Sequence, residues 1–453
     1  MPHPIVRFAP SPTGAIHIGN ARTALLNFLH SKKHHGEFIL RFDDTDAERS
    51  KEEYAQAIEV DLAWLGIVPD RVLRQSQRIA LYEAAAKKLR AAGRLYACYE
   101  TAEELERKRR RQQARGQPPV YDRAALALSA EDRARLEAEG RRPHWRFLLE
   151  RRIVRWDDLI RGESHIDSAS LSDPVLIRED GTFLYTLPSV VDDLDCKVTA
   201  IIRGEDHVTN TAVQIELFEA LAGAGSAPGF GHHNLLSSVS GEGLSKRTGA
   251  LSIGGLRDAG LESLAVAAAA VLIGSSIPLH PVVSLAELTA ILDFRQLSRT
   301  QTRFDPAELA ALSARTLHGL GFEAVRDRLG AHEIVGYKAE PFWLAVRGNL
   351  SVFLDVVDWW RVVEGEIALP ARDSSDEAFL KEAAAALPPE PFDETTWSVW
   401  INVLKERTGR KGRALFHPLR LALTGQENGP ELAALMPLIG RVRASARLCG
   451  RAA

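Results

Sequence analysis

Two short strings in this sequence carry residue types suited to handling phosphate. The first, Ser11-Pro12-Thr13-Gly14-Ala15-Ile16-His17-Ile18-Gly19-Asn20, sets two glycines and a histidine ahead of an apolar periodic stretch. At a strand-to-helix junction, backbone N–H groups and the helix dipole face an anion. Gly14 and Gly19 lack a Cβ where a nucleotide would approach the backbone. His17 has a ring N–H to donate to a phosphate oxygen whose charge grows during reaction. The second string, Gly241-Glu242-Gly243-Leu244-Ser245-Lys246-Arg247-Thr248-Gly249, reads as a basic loop flanked by glycines. Its Lys246 and Arg247 are suited to close over a triphosphate and neutralise it. Taken singly, each string has a plainer reading: a turn with an incidental histidine, or a solvated basic loop.

The elements that must position these strings follow from hydrophobic periodicity. Residues 5–8 form an apolar run ended by the turn-rich string APSPTG, which predicts a strand and a loop. Residues 18–29 carry Ala21, Leu25, Leu26 and Leu29 at helical spacing, and residues 38–42 read as a second strand. Strand, glycine loop, helix and strand open a βαβ unit with a parallel sheet. Residues 54–65 and 81–89 read as amphipathic helices. From residue 102 to about 166 the texture changes to two highly charged helices, 103–115 and 130–139, which suggests an insertion outside the sheet core. Strands are expected again at 175–178, 183–187 and 198–203, then a helix over 211–221. Residues 223–231, rich in glycine, alanine and proline, read as a linker. Beyond residue 261 the pattern is mostly helical, punctuated by prolines.

Composition bounds the rest. At 453 residues, with 45% hydrophobic and 26% charged residues, the chain has room for about three ordinary domains and needs no metal or disulfide to build its cores. Net charge is -3, from 57 basic and 60 acidic residues, but residues 405–451 hold ten Lys or Arg against three Glu, so that segment can face phosphate. Cys98, Cys196 and Cys449 lie far apart, with no metal-ligand spacing and no complete disulfide pairing, as expected of reduced thiols. No secretory leader and no bilayer-length apolar run is evident, which points to a soluble cytoplasmic enzyme.

Taken together and in this order, the two phosphate strings resemble the paired ATP motifs of class I aminoacyl-tRNA synthetases, usually written HIGH and KMSKS. Around them RFAPSPTGAIHIGN, RFDDTD (Arg41 to Asp46), LYTLPSVVDD (Leu184 to Asp193), IIRGEDH (Ile201 to His207), GLSKRTGA (Gly243 to Ala250) and the C-terminal stretch from Thr408 to Arg441 are similar to the bacterial glutamyl-tRNA synthetases. The likeness spans nearly the whole chain. It implies an α/β fold: a Rossmann-type parallel-sheet catalytic domain over 1–101 and 167–235, interrupted by an α+β domain at 102–166 that binds the tRNA acceptor end. A stem-contact region at 236–310 carries the second loop, and an all-helical anticodon-binding half fills 311–453.

The resemblance also assigns residues. His17, Gly19, Asn20 and Lys246 fall on catalytic positions. Gly14, His17, Gly19, Asn20, Gly243, Leu244, Ser245, Lys246 and Arg247 make up the expected ATP site. Arg7, Ala9, Ser11, Asp43, Tyr185, Arg203 and His207 match the amino-acid pocket, with Asp43 toward the α-amino group and the two arginines toward the carboxylates. Arg203 is the informative one, because glutamate and glutamine differ little in shape and a guanidinium tells them apart by charge; the sister glutaminyl enzymes lack arginine there. The alternative for Arg203 is an ion pair with Glu205 or Asp206. The sequence departs from the family at Gly243, where the second motif has lysine, and at Asn20, where the first has histidine.

ATP and Mg²⁺ are the implied cofactors, L-glutamate and tRNA-Glu, tRNA-Gln or both the partners, and a monomer the implied state. Some relatives hold zinc in the inserted domain with closely spaced cysteines; here Cys98 stands alone, so no metal site is expected. Phosphate contacts are expected among Arg107, Lys108, Arg109, Arg110, Arg111, Arg141, Arg142 and Arg146, and among Arg407, Arg410, Lys411, Arg413, Arg441, Arg443 and Arg447. Trp343, Trp359 and Trp360 read as helical core. Two rival readings are a catalytically weak tRNA-binding paralogue, suggested by Gly243, and a relative that places glutamate on a tRNA base, disfavoured by the long helical half.

Overall fold

The structure, a computed structural model, describes residues 3–46, 48–238, 251–368 and 374–453. It divides into two compact units, residues 1–258 with 266–305, and residues 259–265 with 306–453.

The first unit opens with β1 (Ile5–Phe8), α1 (Ile18–Lys33), β2 (Glu37–Phe42), α2 (Glu52–Trp64), β3 (Arg71–Arg74) and α3 (Ile79–Ala91). β1 pairs with β2, and β2 with β3, all parallel. The expected face of α1 is the buried one: Ala21, Leu25, Leu26 and Leu29 are wholly inaccessible. Each buried leucine contributes about 1.5–3 kcal/mol, so this stripe clamps α1 to the sheet. Next come β4 (Leu95–Cys98), α4 (Ala102–Ala114), α5 (Ala130–Ala138), β5 (His144–Phe147), β6 (Ile153–Asp158), β7 (Gly162–Asp167) and β8 (Val175–Ile177). α6 (Thr186–Asp195), β9 (Ala200–Gly204), α7 (Val208–Ala222), β10 (Gly229–His233) and β11 (Leu236–Ser238) follow, then α8 (Ile253–Asp258), α9 (Ser263–Leu272), α10 (Leu285–Ile291) and β12 (Thr302–Phe304).

A second group of strands runs in the order β7-β6-β10-β9, parallel except for the β6–β7 hairpin. It meets the first at β1, where the Thr199 N–H donates to the Ile5 carbonyl at 2.8 Å and the Ile5 N–H to Thr199 Oγ1 at 2.9 Å. Strand order therefore reverses between β1 and β9. In open parallel sheets that reversal opens a crevice at the carboxyl ends of the strands, where ligands bind.

Three segments differ from expectation. Residues 183–187 make only a single bridge, Phe183 to Ile177, before α6 begins. The apolar residues there suit a buried helix face as well as a strand, and Pro188 sits in the first turn, where its missing N–H costs nothing. The supposed linker at 223–231 ends in a core strand, β10. Gly231 packs closely there, since a Cβ would stand 3.3 Å from Leu159 Cβ, and so the strand looks like a loop in sequence. The strands within 144–167 do not form a body of their own: β5 lies between β4 and β8, and β6 and β7 extend the β9–β10 sheet.

The second unit is helical: α11 (Pro306–Gly319), α12 (Phe322–Gly330), α13 (Ala339–Val346), α14 (Asp355–Glu364), α15 (Ser374–Ala385), α16 (Thr396–Thr408), α17 (Arg413–Thr424) and α18 (Leu432–Leu448). Trp343 and Trp400 are fully buried in its core, and Trp359 and Trp360 pack against it. Among the described residues no helix is long and apolar enough to cross a membrane.

Candidate active site

The crevice at the β1/β9 reversal holds a cavity of about 530 Å³. Every residue expected in the amino-acid pocket lines it: Arg7, Ala9, Ser11, Asp43, Tyr185, Arg203 and His207. So do His17, Gly19 and Asn20 from the first phosphate string. They arrive from the ends of β1, β2 and β9 and from the first turns of α1 and α6, as the sheet order requires. Gly14 is not among the lining residues. Gly243, Leu244, Ser245, Lys246 and Arg247 lie outside the described residues. Leu251, shortly after that string, accepts from the Ile18 N–H at 3.3 Å, and the Ile253 N–H donates to Ile16 at 2.9 Å, beside His17.

His17 is the N-cap of α1. Its Nδ1 accepts from the Gly19 N–H at 3.0 Å, while Asn20 Oδ1 accepts from the His17 N–H at 3.1 Å. An accepting Nδ1 places the ring proton on Nε2, leaving a donor for a ligand. Burial pushes the ring's pKa down and favours this neutral form. Gly19 serves the same geometry, because a Cβ there would come within 2.8 Å of the His17 ring. Asn20 thus spends its oxygen on the cap, a use that sequence alone did not suggest.

Charge is distributed unevenly behind the pocket. Arg7 Nε donates to Asp193 Oδ1 at 3.2 Å, and Arg41 Nη1 reaches the same oxygen at 2.8 Å. Arg41 also holds both oxygens of Asp43, at 2.7 and 3.3 Å. Burial raises the pKa of Asp43 and Arg41 opposes that rise. Asp192 is matched by Arg78 at 2.7 Å and by the Tyr82 hydroxyl at 2.9 Å.

Arg203 is different. It is 4% exposed, yet the described residues offer it no carboxylate. Its Nη1 donates to the Tyr185 hydroxyl at 3.2 Å, Nη2 to Thr211 Oγ1 at 2.7 Å, and Nε to His232 Nε2 at 3.3 Å. Glu205, one suggested ion-pair partner, is bound to Arg161 at 2.8 Å, and Asp206 lies 3.8 Å from His207. Burial, and then the nearby Arg7 charge, lower the Arg203 pKa. An unmatched buried cation is costly unless a ligand anion completes it. Arg7 and Arg41 share the carboxylates of Asp43, Asp193 and, at 3.7 Å, Asp192, whereas Arg203 pairs with none of them. A ligand carboxylate at Arg203 would complete that buried cation.

Residues 5–311 match the family described as tRNA synthetases class I (E and Q), catalytic domain, and residues 364–450 match an anticodon binding domain. A glutamate–tRNA ligase 2 from Beijerinckia indica is 75% identical over 100% of both chains. The chain belongs to the glutamate–tRNA ligases, class I aminoacyl-tRNA synthetases. A glutamate–tRNA ligase 1 from Brucella canis is 57% identical over 98% of this chain and 99% of its own. The crystal structure of a glutamate tRNA ligase from Elizabethkingia meningosepticum, in complex with its amino acid, superposes with a TM-score of 0.83 at 25% identity, covering 98% of each chain.

Within this family member, sequence reasoning passed over His232, His233, Asn234 and Asp158. His233 Nε2 meets Thr23 Oγ1 at 2.9 Å, and Asn234 Oδ1 accepts from Arg22 at 2.7 Å. The only available signal was the polar run HHN after a glycine-rich segment. Two arginines offered as phosphate contacts are corrected: Arg146 is 8% exposed and donates to the Asp173 carbonyl at 2.7 Å, and Arg447 is fully buried in the helical unit. Neither is available to a phosphate.

Proposed function

We propose that this ligase binds L-glutamate and ATP in the β1/β9 crevice and then passes the activated amino acid to the 3′-terminal adenosine of tRNA. The observation that carries the substrate reading is Arg203, a buried guanidinium facing the cavity without a carboxylate partner. Glutamate brings a side-chain carboxylate to Arg203; glutamine, with an amide there, leaves a buried cation unmatched. Arg7 and Arg203 receive the carboxylates and Asp43 the ammonium. Ala9 and Ser11 line the floor, Tyr185 and His207 the far wall.

In the first step an oxygen of the α-carboxylate attacks the α-phosphorus of ATP. The bond from that phosphorus to the bridging oxygen breaks, and pyrophosphate leaves. In the second step a ribose hydroxyl of the tRNA attacks the acyl carbon and AMP leaves. His17 donates from Nε2 to the charge that grows on the phosphate, and Lys246 with Arg247 neutralises the rest. The chemistry needs position and charge but no side-chain nucleophile.

Among the described residues no cluster of three His, Cys, Asp or Glu is placed to hold a metal, so Mg²⁺ would come held by the phosphates of ATP and by water. No structural zinc is proposed: Cys98 adjoins the Tyr121 hydroxyl at 3.7 Å, and Arg146 and Lys108 bring positive charge over that ring. A cytoplasmic monomer is the proposed working form, with the 102–166 segment meeting the acceptor end and the helical unit the anticodon. The deciding measurement is pyrophosphate exchange with glutamate, ATP and tRNA. Exchange above background is expected, and a background rate overturns the reading in favour of a silent RNA-binding paralogue. Charging of tRNA-Glu and tRNA-Gln assayed separately identifies the acceptor.

A further inference from the structure

Behind Arg203, outside the cavity, lies a chain of buried polar groups that the reaction itself does not touch. His232 on β10 is fully inaccessible, and its Nε2 receives the Arg203 Nε–H. Its Nδ1 lies 2.5 Å from Asp158 Oδ2, at the end of β6. Asp158 is 3% exposed, and among the described residues no Lys or Arg side chain pairs with it. Five donors converge on its carboxylate. Oδ1 accepts the backbone N–H groups of Ile160, Arg161 and His232 at 3.1, 3.0 and 3.0 Å; Oδ2 accepts His232 Nδ1–H and the Trp156 indole N–H, the latter at 3.3 Å. A carboxylate receiving so many donors stays ionised and keeps the His232 proton on Nδ1. Nε2 is then an acceptor, as the Arg203 Nε–H requires. Thr211 Oγ1, which accepts from Arg203 Nη2 at 2.7 Å, lies 2.9 Å from the same Nε2.

We propose that Asp158 and His232 are positioning residues for glutamate selection: Asp158 sets the His232 tautomer, and His232 holds the Arg203 guanidinium so that its remaining N–H groups face the substrate carboxylate. The inference rests on the reading of Arg203 given above. It explains why a guanidinium with no protein anion keeps one orientation. Two of its three nitrogens, Nε and Nη2, are tied to His232 and Thr211, and Nη1 keeps an N–H beyond the one given to Tyr185.

The wiring makes Asp158→Asn a sharp substitution. The three backbone N–H groups require an oxygen at the Oδ1 position. The new amide nitrogen must therefore replace Oδ2 and donate toward His232 Nδ1. The ring proton then moves to Nε2, where it opposes the Arg203 N–H donor to donor. His232→Asn removes the acceptor while keeping a group beside Asp158. His232→Gln can place its side-chain oxygen where Nε2 was.

The test is steady-state aminoacylation by the full chain, varying glutamate and ATP separately, with thermal unfolding of each variant and Arg203→Gln alongside. Asp158→Asn and His232→Asn are expected to raise the KM for glutamate about tenfold to a hundredfold, as loss of an orienting partner typically does, with the KM for ATP unchanged. His232→Gln is expected to recover most of that loss. If Asp158→Asn does not fold, the two His232 variants carry the test alone. A glutamate KM within about threefold of the parent in His232→Asn, a parallel rise in both KM values, or His232→Gln as impaired as His232→Asn overturns the proposal. If Arg203→Gln itself leaves the glutamate KM intact, the pocket reading falls and takes this inference with it; if only the His232 and Asp158 variants are silent, the inference alone falls.

Discussion

Two buried arginines, one in each unit, show what a cation is doing when its surroundings are complete and when they are not. In the helical unit Arg447 on α18 donates Nη1 to the Val362 and Leu423 carbonyls at 2.7 and 2.8 Å, Nη2 to Gly365 at 2.9 Å, and Nε to Ala453 at 2.5 Å. Val362 and Leu423 lie in the last turns of α14 and α17, where carbonyls have no partner within the helix and the dipole is negative. Nη1 and Nη2 of Arg447 thus join helix ends, and Nε reaches the last residue of the chain. Arg203 is buried to a similar degree, but its protein partners are two hydroxyls, one carbonyl at 3.5 Å and a neutral ring, none of them anionic. The first arrangement is a structural tie. The second is left incomplete on the side facing the cavity.

The comparison is sharpest in paired substitutions. Arg203→Gln should lower kcat/KM for glutamate by about 10³-fold, the scale of losing one partner of a desolvated charge pair. The unfolding midpoint should hold or rise, since an unmatched buried charge is removed. Arg447→Gln should do the reverse. At least two carbonyls would be left buried without a donor, at about 1–3 kcal/mol each, so the helical unit should lose about 3 kcal/mol in urea titration. The KM for glutamate should stay within twofold of the parent, or about 0.4 kcal/mol. A stability loss in the first variant, or a glutamate defect in the second, would erase the distinction.

How much of this was readable in the chain differs by region. β1 and β2 stood out as short apolar runs bounded by turn residues, and α1 through the helical spacing of its apolar residues. β10 did not, because Gly229 and Gly231 give a strand the composition of a loop. β7 alternates exposed and half-buried residues at a sheet edge, and its half-buried face carries Gly162 and Ser164 beside Ile166, so its pattern is weak. The residues lining the cavity were found through motif resemblance, and periodicity placed their loops. Asp158 and His232 belong to no motif and come from strands 74 residues apart. Only the strand order brings them behind Arg203. Arg447 misled for a simple reason: a basic C-terminal segment looks the same in sequence whether its charges face solvent or cap helices.

The two units should also part company in acid. Burial pushes down the pKa of His17, His30, His144, His207, His232 and His233, all in the first unit, with His30 and His144 at about 4 and His233 at about 3. A histidine whose folded pKa lies below its unfolded value of about 6.5 favours the folded state in its neutral form. Its contribution is complete above that value and is lost as pH falls toward the folded pKa, because the unfolded chain then binds the extra proton. His233 alone, fully enclosed beside Arg22, should remove about 1 kcal/mol between about pH 6.5 and 5.5. Denaturant titrations at those two pH values, read by probes in each unit, should show the catalytic unit weakening while Arg447→Gln keeps its defect in the helical one. Equal acid sensitivity of both units would remove this part of the contrast.

The smallest effect is expected at the third buried polar cluster, around Cys98. Burial raises its thiol pKa to about 11, so it stays protonated, and its neighbours are the Tyr121 hydroxyl and, through it, Glu100 at 2.8 Å. Lys108 pairs with Glu100 and with Asp122, both at 3.1 Å, and Arg146 lies over the Tyr121 ring. Like Arg447, Cys98 has its partners in protein groups. Metal analysis of the purified chain should find no stoichiometric zinc, and prolonged chelation should leave the unfolding midpoint in place. Cys98→Ser should cost under about 1 kcal/mol, because a thiol makes only a weak hydrogen bond and serine replaces it with little change in volume. A chelator that lowers the midpoint by several degrees would move Cys98 from the closed class to the incomplete one, with Arg203.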